Sequence, residues 1–222
     1  MRLIVAVRLG SVISTLFLIL LITSSPARIP NVTSKHIFVE ELPVASSATP
    51  SHPQFKCALP QACPFSHFAF HIKSGVANML GPRICFDGQM IMSGVINNIG
   101  VGLNIVLVNG ETGKIEKSES FSGDQEKLLS FLRGAKPGNI ILVASFDDPA
   151  TQLTDDIRKA FSSMGSSLIK MLKFRDSWVF AGAVRKKGKS PFEKLLKNDE
   201  KTNIFDGWPG TEEISGCYPK NI

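Results

Sequence analysis

Five aspartates lie around the ends of two apolar segments and are the residues best suited to acid–base chemistry: Asp147, Asp148, Asp155, Asp156 and Asp176. A pair of carboxylates can hydrolyse a glycosidic bond, but only at a separation that the fold decides and the spacing along the chain does not give. The alternative is that these carboxylates end strands and begin helices. Because the sequence has neither a Gly-x-Ser-x-Gly nor a His-Glu-x-x-His motif, we expect that the protein is not an enzyme.

The cysteines form an even set of four: Cys57, Cys63, Cys85 and Cys217. Four cysteines permit three disulfide pairings, and their positions alone do not choose among them. Cys57 and Cys63 are followed by His67 and His71, which resembles a series of metal ligands, but the two cysteines are further apart than in zinc motifs. We therefore expect disulfides, with no metal site and no cofactor.

The aspartates flank a predicted strand–helix–strand unit. Asn139–Phe146 and Ser177–Val184 are apolar runs of strand length. Between them, apolar residues recur at steps of three and four from Ile157 to Leu172, which predicts the buried stripe of a helix. Thr154 is the predicted N-cap of this helix, and Gly165 is a candidate break within it. The charged residues therefore fall at strand ends, where loops commonly carry function.

The remaining elements are shorter and follow from apolar runs bounded by turn residues. Asn109-Gly110 between two strand patterns is a strong hairpin signal. The predicted strands are Phe68–Lys73, Arg83–Phe86, Gln89–Met92, Gly102–Val108 and Lys114–Phe121, and the predicted short helices are Gly123–Leu132 and Ser190–Lys197.

Residues 1–25 have the composition of a secretory signal peptide. Two arginines precede the apolar run Leu9–Thr23, whose length of about 15 residues suits a signal and is short for a span of roughly 20. Small residues near Ser25 suit cleavage. The product is expected to be secreted and extracellular, with no membrane association after the signal is cleaved.

Residues 26–54 are rich in proline, serine and threonine, which predicts a flexible leader. Asn31-Val32-Thr33 within it is a glycosylation sequon, so we expect a glycan on Asn31. Residues 55–222 are predicted to form a single disulfide-stapled globular domain, with 43% hydrophobic residues across the whole chain to supply its core.

The charge is too small and too scattered for a nucleic-acid-binding protein. The formal charge of +6 includes Arg2 and Arg8; without them the chain has 23 basic and 19 acidic residues. No nucleic-acid partner is expected, because no basic stripe alternates with aromatics. The basic loop from Arg185 to Lys189 is either a solvated turn or a contact for a sulfated glycan, a proteoglycan or an acidic receptor patch.

Six segments together resemble one known family, the "family with sequence similarity three", a group of small secreted cytokine-like proteins. Among the types of that family, the segments are most similar to the D type. They are Lys56–Pro64, Gly102–Gly110, Val143–Thr151, Phe174–Phe180, Lys189–Glu193 and Gly207–Pro209.

The resemblance implies an α+β fold: a compact globular domain of two β-sheets flanked by short helices, a lectin-like module and not a four-helix cytokine bundle. It also implies the pairings Cys57–Cys85 and Cys63–Cys217. The epithelial–mesenchymal transition inducer of this family has a further cysteine at the position of Ala181. Covalent dimerisation through that position is therefore not expected in this chain.

The resemblance implies a secreted, non-catalytic signalling protein with cytokine activity, whose partner is a cell-surface receptor. A related stem domain of a glycosyltransferase binds carbohydrate through an arginine, an aspartate and a second arginine. By motif, the aspartate falls on Asp147 and the second arginine on Arg175, whereas the first arginine is replaced by Val101. Asp147 and Arg175 are therefore candidates either for glycan binding or for a structural ion pair.

Overall fold

A computed structural model of the chain describes residues 55–184 and 188–220. The predicted signal peptide, the leader and the sequon at Asn31 lie outside these residues. Arg185, Lys186 and Lys187 of the basic loop also lie outside them. No helix among the described residues has the length and hydropathy needed to span a membrane.

The described residues form nine strands, two α-helices and two 3₁₀ turns. The strands are β1 His67–Lys73, β2 Arg83–Phe86, β3 Gln89–Met92, β4 Gly102–Asn109, β5 Ile115–Phe121, β6 Asn139–Phe146, β7 Ser177–Ala183, β8 Phe192–Leu196 and β9 Glu213–Pro219. The helices are α1 Gln125–Arg133 and α2 Asp155–Ser163, and the 3₁₀ turns are Lys56–Ala58 and Ile169–Met171.

The strands form two antiparallel sheets. One sheet has four strands in the order β3-β2-β1-β9, and the other has five in the order β5-β4-β6-β7-β8. The pairing of β1 with β9 brings the beginning and the end of the domain together, with His67 opposite Pro219. The predicted α+β fold of two sheets and short helices is confirmed, and the domain is not a helical bundle.

The two faces of β6 bury different sets of side chains, which explains its uninterrupted apolar sequence. Ile140 and Leu142 face the four-stranded sheet and pack in the core between the sheets. Ile141 and Val143 face the other way and pack against α1, α2 and the indole of Trp178. Since successive side chains of a strand alternate between faces, a central strand covered on both sides must be apolar throughout.

Only one of the two sheets carries helices on its outer face. Leu128 and Phe131 of α1 and Ile157 and Phe161 of α2 pack on the five-stranded sheet. The outer face of the four-stranded sheet instead carries the 3₁₀ turn Lys56–Ala58. The remainder of that face is therefore open, among the residues that the structure describes.

Two disulfides fix the N-terminal segment of the domain to the four-stranded sheet. Cys57 and Cys85 are joined with their Cα atoms 5.6 Å apart, and this bond holds the 3₁₀ turn against β2. Cys63 and Cys217 are joined with Cα atoms 5.5 Å apart, which attaches the next segment to β9. These are the two pairings that the family resemblance implies.

The predicted helix over Ser190–Lys197 is wrong, because this segment contains strand β8. β8 pairs with β7 in antiparallel register, with Phe192 opposite Ala181 and Leu196 opposite Ser177. The pairing satisfies the backbone of β7, which would otherwise be an open edge, and this gain outweighs the local helical pattern. Glu193 adds side-chain bonds, because its carboxylate accepts the indole N–H of Trp178 at 3.0 Å and the backbone N–H of Ser167 at 2.7 Å.

The predicted N-cap at Thr154 is confirmed, but the helix ends earlier than the apolar pattern predicts. The Thr154 hydroxyl accepts the backbone N–H of Ile157, as an N-cap should. The helix ends at Ser163, and Gly165 then adopts a φ of +101°, which breaks the helical path. Of the later apolar residues of the pattern, Leu172 is buried just after the 3₁₀ turn Ile169–Met171, and Leu168 is half-buried just before it.

Candidate functional site

The candidate residues meet at one end of the two-sheet core, which we call the loop end. Here β1, β3, β5, β6 and β8 finish and β2, β4, β7 and β9 begin. Two bonds join the sheets at this end: the Gly75 N–H donates to the carbonyl of Ser145 at 2.8 Å, and the hydroxyls of Ser74 and Ser177 lie 2.6 Å apart. The loops that carry the site are therefore held in a fixed relation to one another.

Asp147 and Arg175 lie side by side, as their positions at neighbouring strand ends predict. Asp147 follows β6 and Arg175 comes shortly before β7. Their backbones are both left-handed, with φ of +57° and +59°, a conformation that costs side-chain-bearing residues about 1–2 kcal/mol. Arg175 Nε lies 3.9 Å from Asp147 Oδ1, and the two side chains are 31% and 24% exposed.

Trp208 completes this group, although no local pattern in the sequence predicts a role for it. Its indole N–H donates to Asp147 Oδ1 at 2.9 Å. The guanidinium carbon of Arg175 lies 3.8 Å from the centre of the Trp208 ring, which is a close cation–π contact. The only signal in the sequence was the Gly207-Trp208-Pro209 segment of the family resemblance, because 61 residues separate Trp208 from Asp147.

The other carboxylates near the site hold the loops together. Asp148 Oδ1 accepts the backbone N–H of Ala150 at 3.0 Å. Asp176 is 2% exposed, and it accepts backbone N–H groups from Lys173 and Asn198, both at 2.7 Å. Asp155 and Asp156 lie in the first turn of α2, where negative charge favours the helix. The structure thus gives each predicted aspartate a structural contact or position.

The cleft between Asp147 and Arg175 is almost filled. The space bounded by these side chains, Trp208 and the neighbouring loops is about 10 Å³, room for about one water molecule. Val101 precedes Gly102, whose strand partner Phe146 is the last paired residue of β6. The structure therefore brings Asp147 and Arg175 together, whereas Val101, the third position suggested by the resemblance, is an exposed apolar side chain that does not line this cleft.

The possible metal ligands suggested by the sequence are otherwise engaged. Cys57 and Cys63 are both disulfide-bonded, and His71 Nε2 lies 2.8 Å from Glu213 Oε1. Burial raises the pKa of Glu213, but hydrogen bonds and charges from Lys73 and His71 outweigh burial, so the net effect is a lowered pKa. Among the described residues, no group of three or more His, Cys, Asp or Glu side chains is arranged to hold a metal ion.

The loop end also carries most of the exposed apolar side chains. Of the twelve large hydrophobic residues that are exposed in the described part of the chain, eight lie in its loops. Val95 is 92% exposed and Met79 is 79% exposed. The eight residues are Met79, Leu80, Val95, Ile96, Val101, Phe174, Ile204 and Phe205. Apolar groups concentrated on one surface indicate an interaction site, whereas single scattered ones do not.

The fold and the site define a disulfide-bonded α+β module with an apolar loop end. Residues 101–186 match the family model described as "Interleukin-like EMT inducer". The match includes Asp147, Arg175 and the elements from β4 to β7, which are four strands, two α-helices and one 3₁₀ turn. It excludes β1, β9 and Trp208, which come from outside the matched segment.

Several characterised relatives extend the similarity over most of the domain. The chain is 51% identical to "Protein FAM3D" of Mus musculus over 173 residues, 77% of this chain and 78% of the relative. It is 48% identical to "Protein FAM3C" of Danio rerio over 176 residues, 78% of each. It is 52% identical to "Protein FAM3D" of Homo sapiens over 169 residues, 75% of each. The chain belongs to the FAM3 family of cytokine-like proteins, as its sequence motifs indicate.

Proposed function

We propose that this is a secreted, non-catalytic, cytokine-like signalling protein that acts by binding a cell-surface receptor through its loop end. The observation that carries the proposal is the concentration of eight exposed large hydrophobic side chains on the loops of one end. Burial of such residues at an interface gains free energy in proportion to the apolar area removed from water. Membership of a cytokine-like family supports the same function.

The absence of catalysis is part of the proposal, and the arrangement of the carboxylates supports it. Asp147 accepts a hydrogen bond from Trp208, and Asp176 accepts two from the backbone. A general acid or base must be able to reach a substrate. These hydrogen bonds instead use the two carboxylates to hold the loops in place, and Asp176 is also buried.

The test is saturable binding of the labelled secreted protein to responsive cells. Ile204→Asp and Phe174→Asp place a charge on the loop end, and we expect each to weaken binding at least about tenfold. Phe65→Asp is the matched control, because Phe65 is 96% exposed and lies before β1 at the opposite end. If the wild-type protein shows no saturable binding and no dose-dependent response, the receptor proposal is wrong.

A second candidate function is glycan binding at Asp147 and Arg175. The observation that favours it is the meeting of a carboxylate, a guanidinium and the indole of Trp208 at one cleft, which offers polar bonds and an aromatic face. The small volume of the cleft requires Trp208 or its loop to move before a sugar could enter.

A glycan array distinguishes this function from receptor docking. Specific binding that is lost in Asp147→Ala and Arg175→Ala, with both variants still folded by circular dichroism, would support a lectin. Because both residues hold the loop that carries Trp208, the control is Asp206→Ala, which removes an exposed carboxylate from the same loop. An array without specific binding would reject the glycan-binding function.

A further inference from the structure

The open outer face of the four-stranded sheet carries an unusual row of charges. Arg83 and Lys73 lie directly opposite each other on β2 and β1, and Glu213 lies opposite Lys73 on β9. Like charges directly across a sheet are destabilising. Lys73 is paired with Glu213 at 3.2 Å, whereas Arg83 is exposed and has no ion-pair partner among the described residues.

Two hollows meet at this row and together form a trough. A hollow of about 440 Å³ extends towards the loop end and is walled by Leu80 and Val95. A second, of about 470 Å³, extends towards the N-terminal 3₁₀ turn and is walled by Phe55 and Met90. Lys73 and Arg83 line both hollows, so the trough has cations at its centre and apolar walls at each end.

The floor and walls of the trough are built firmly. The Cys57–Cys85 disulfide anchors the wall that contains Phe55 to β2. On the other side, Ile99 packs beneath Gly81 and Gly94, which places the Val76–Leu80 turn and the Val95 loop beside each other. The Val76 and Leu80 backbones are bonded to each other at 2.8 Å. The shape is therefore a feature of the fold and not of one loop.

We propose that this trough binds an extended protein segment in which acidic residues are flanked by large apolar residues. The carboxylate would pair with Arg83, and the apolar side chains on either side would pack against Leu80 and Val95 and against Phe55 and Met90. The inference rests on the proposed receptor function and names the chemistry of the receptor segment. Each hollow has the volume of a typical ligand pocket.

The charges favour a protein segment over a sulfated glycan. A polyanion needs several free cations, but Lys56 is paired with Asp87 and Lys73 with Glu213, which leaves Arg83 as the unpaired cation beside the trough in the described part of the chain. The walls are also mainly aliphatic, whereas sugar rings prefer aromatic faces. One uncompensated guanidinium between apolar walls suits one or two carboxylates on a peptide.

The test is an NMR titration of the ¹⁵N-labelled secreted chain with a defined peptide. The probe is a ten-residue peptide with a central glutamate pair flanked by leucine and valine, and its twin has glutamines in place of the glutamates. We expect shift changes confined to the lining of the trough. The glutamine twin should bind at least about tenfold more weakly, because it lacks the charge-assisted bond.

Substitutions of exposed residues test where the peptide binds without destabilising the domain. Arg83→Gln should weaken binding of the peptide at least about tenfold. Val95→Asp, in an exposed loop, should weaken binding to the same extent without affecting the fold. Lys136→Gln removes an exposed cation at the opposite end and should have no effect.

The inference is overturned if the peptide leaves the trough resonances unchanged. It is also overturned if a heparin hexasaccharide displaces the peptide from them and binds more tightly. The titration uses no cells, so a negative result here leaves the receptor proposal standing. If the wild-type protein failed to bind cells, the receptor proposal would be rejected, and the result of the peptide titration would still stand.

Discussion

Asp147 is held by two partners of unequal strength. The indole N–H of Trp208 donates to it at 2.9 Å, whereas the Nε atom of Arg175 is 3.9 Å away. A surface ion pair at the longer distance contributes between nothing and about 1 kcal/mol. A hydrogen bond to a charged acceptor contributes about 1.5–3 kcal/mol. The indole bond is therefore the stronger of the two interactions that hold Asp147.

We predict that Trp208→Phe lowers the free energy of unfolding by about 2–3 kcal/mol, because it removes this donor and leaves the carboxylate less well paired. Asp147→Gly is the suitable partner for a double-mutant cycle, since glycine removes the acceptor and tolerates the left-handed backbone at this position. Urea unfolding should give a coupling of at least about 1 kcal/mol. Additive effects of the two substitutions would show that the bond does not stabilise the loop.

Tyr218 gives a second prediction, because it is the only tyrosine in the chain. Burial raises the pKa of Tyr218 to about 12. The folded form thus holds the phenolic proton more tightly than the unfolded form, whose pKa is about 10. Stability should therefore be unaffected by this group below about pH 10 and should fall as the pH rises to about 12.

The measurement is the ultraviolet absorbance of tyrosinate in folded and denatured protein. A folded midpoint near 12 would confirm the effect, and a midpoint near 10 would contradict it. In Tyr218→Phe, the loss of stability between about pH 10 and pH 12 should become smaller.

At the scale of elements, β4 begins at a position that only glycine can occupy without strain. Gly102 has a φ of +95°, and a Cβ added there would lie 2.1 Å from the backbone oxygen of Phe121. The position therefore excludes a side chain both by its backbone conformation and by its close approach to β5. Gly123 provides a natural comparison, because its φ is +78° and an added Cβ would have nothing within 4 Å.

We predict that Gly102→Ala destabilises the domain by roughly 2–5 kcal/mol, the sum of backbone strain and overpacking. Gly123→Ala should cost only the strain, about 1–2 kcal/mol. Thermal and urea unfolding of the two variants measure the difference. Equal losses would mean that β4 and β5 separate easily and that the contact at Gly102 is not restrictive.

The sequence predicts the elements whose local pattern and tertiary environment agree. β6 was predicted at its observed bounds, Asn139–Phe146, because a strand buried on both faces is apolar throughout. The segment of β8 is predicted as a helix because Pro191 suits the first position of a helix. Its strand structure is set by pairing with β7, a contact between segments that no local pattern reveals.

The site was predictable to a similar extent. Asp147 and Arg175 flank strands that the sequence identifies, and antiparallel neighbours bring such ends together. Trp208 belongs to a loop before β9, which returns to the other sheet, so its contact with Asp147 depends on the whole topology. The trough was also not predictable, because Lys73 and Arg83 become neighbours only through the register of β1 and β2.

For the whole molecule, the two disulfides close loops of very different length. Cys57–Cys85 spans 28 residues and Cys63–Cys217 spans 154. In the chain-entropy account, these loops correspond to about 3.5 and about 5 kcal/mol of stabilisation. The longer bond should therefore contribute more, although both attach the same N-terminal segment.

We predict that replacing Cys63 and Cys217 by alanine destabilises the domain by about 1.5 kcal/mol more than replacing Cys57 and Cys85. The comparison requires urea unfolding of both double variants with the remaining disulfide intact, verified by mass spectrometry. An equal or reversed order would mean that local packing around the 3₁₀ turn outweighs the entropy of the unfolded chain.

The pairing of β1 with β9 has a practical consequence for anyone who immobilises this protein. The backbone N–H of Lys220 donates to the carbonyl of Ser66. The chain therefore leaves β9 beside the start of β1, at the end of the domain opposite the loop end. A biotin appended after Lys220 should present those loops towards solution on a sensor chip. Amine-reactive coupling would instead modify Lys73 and mask the trough.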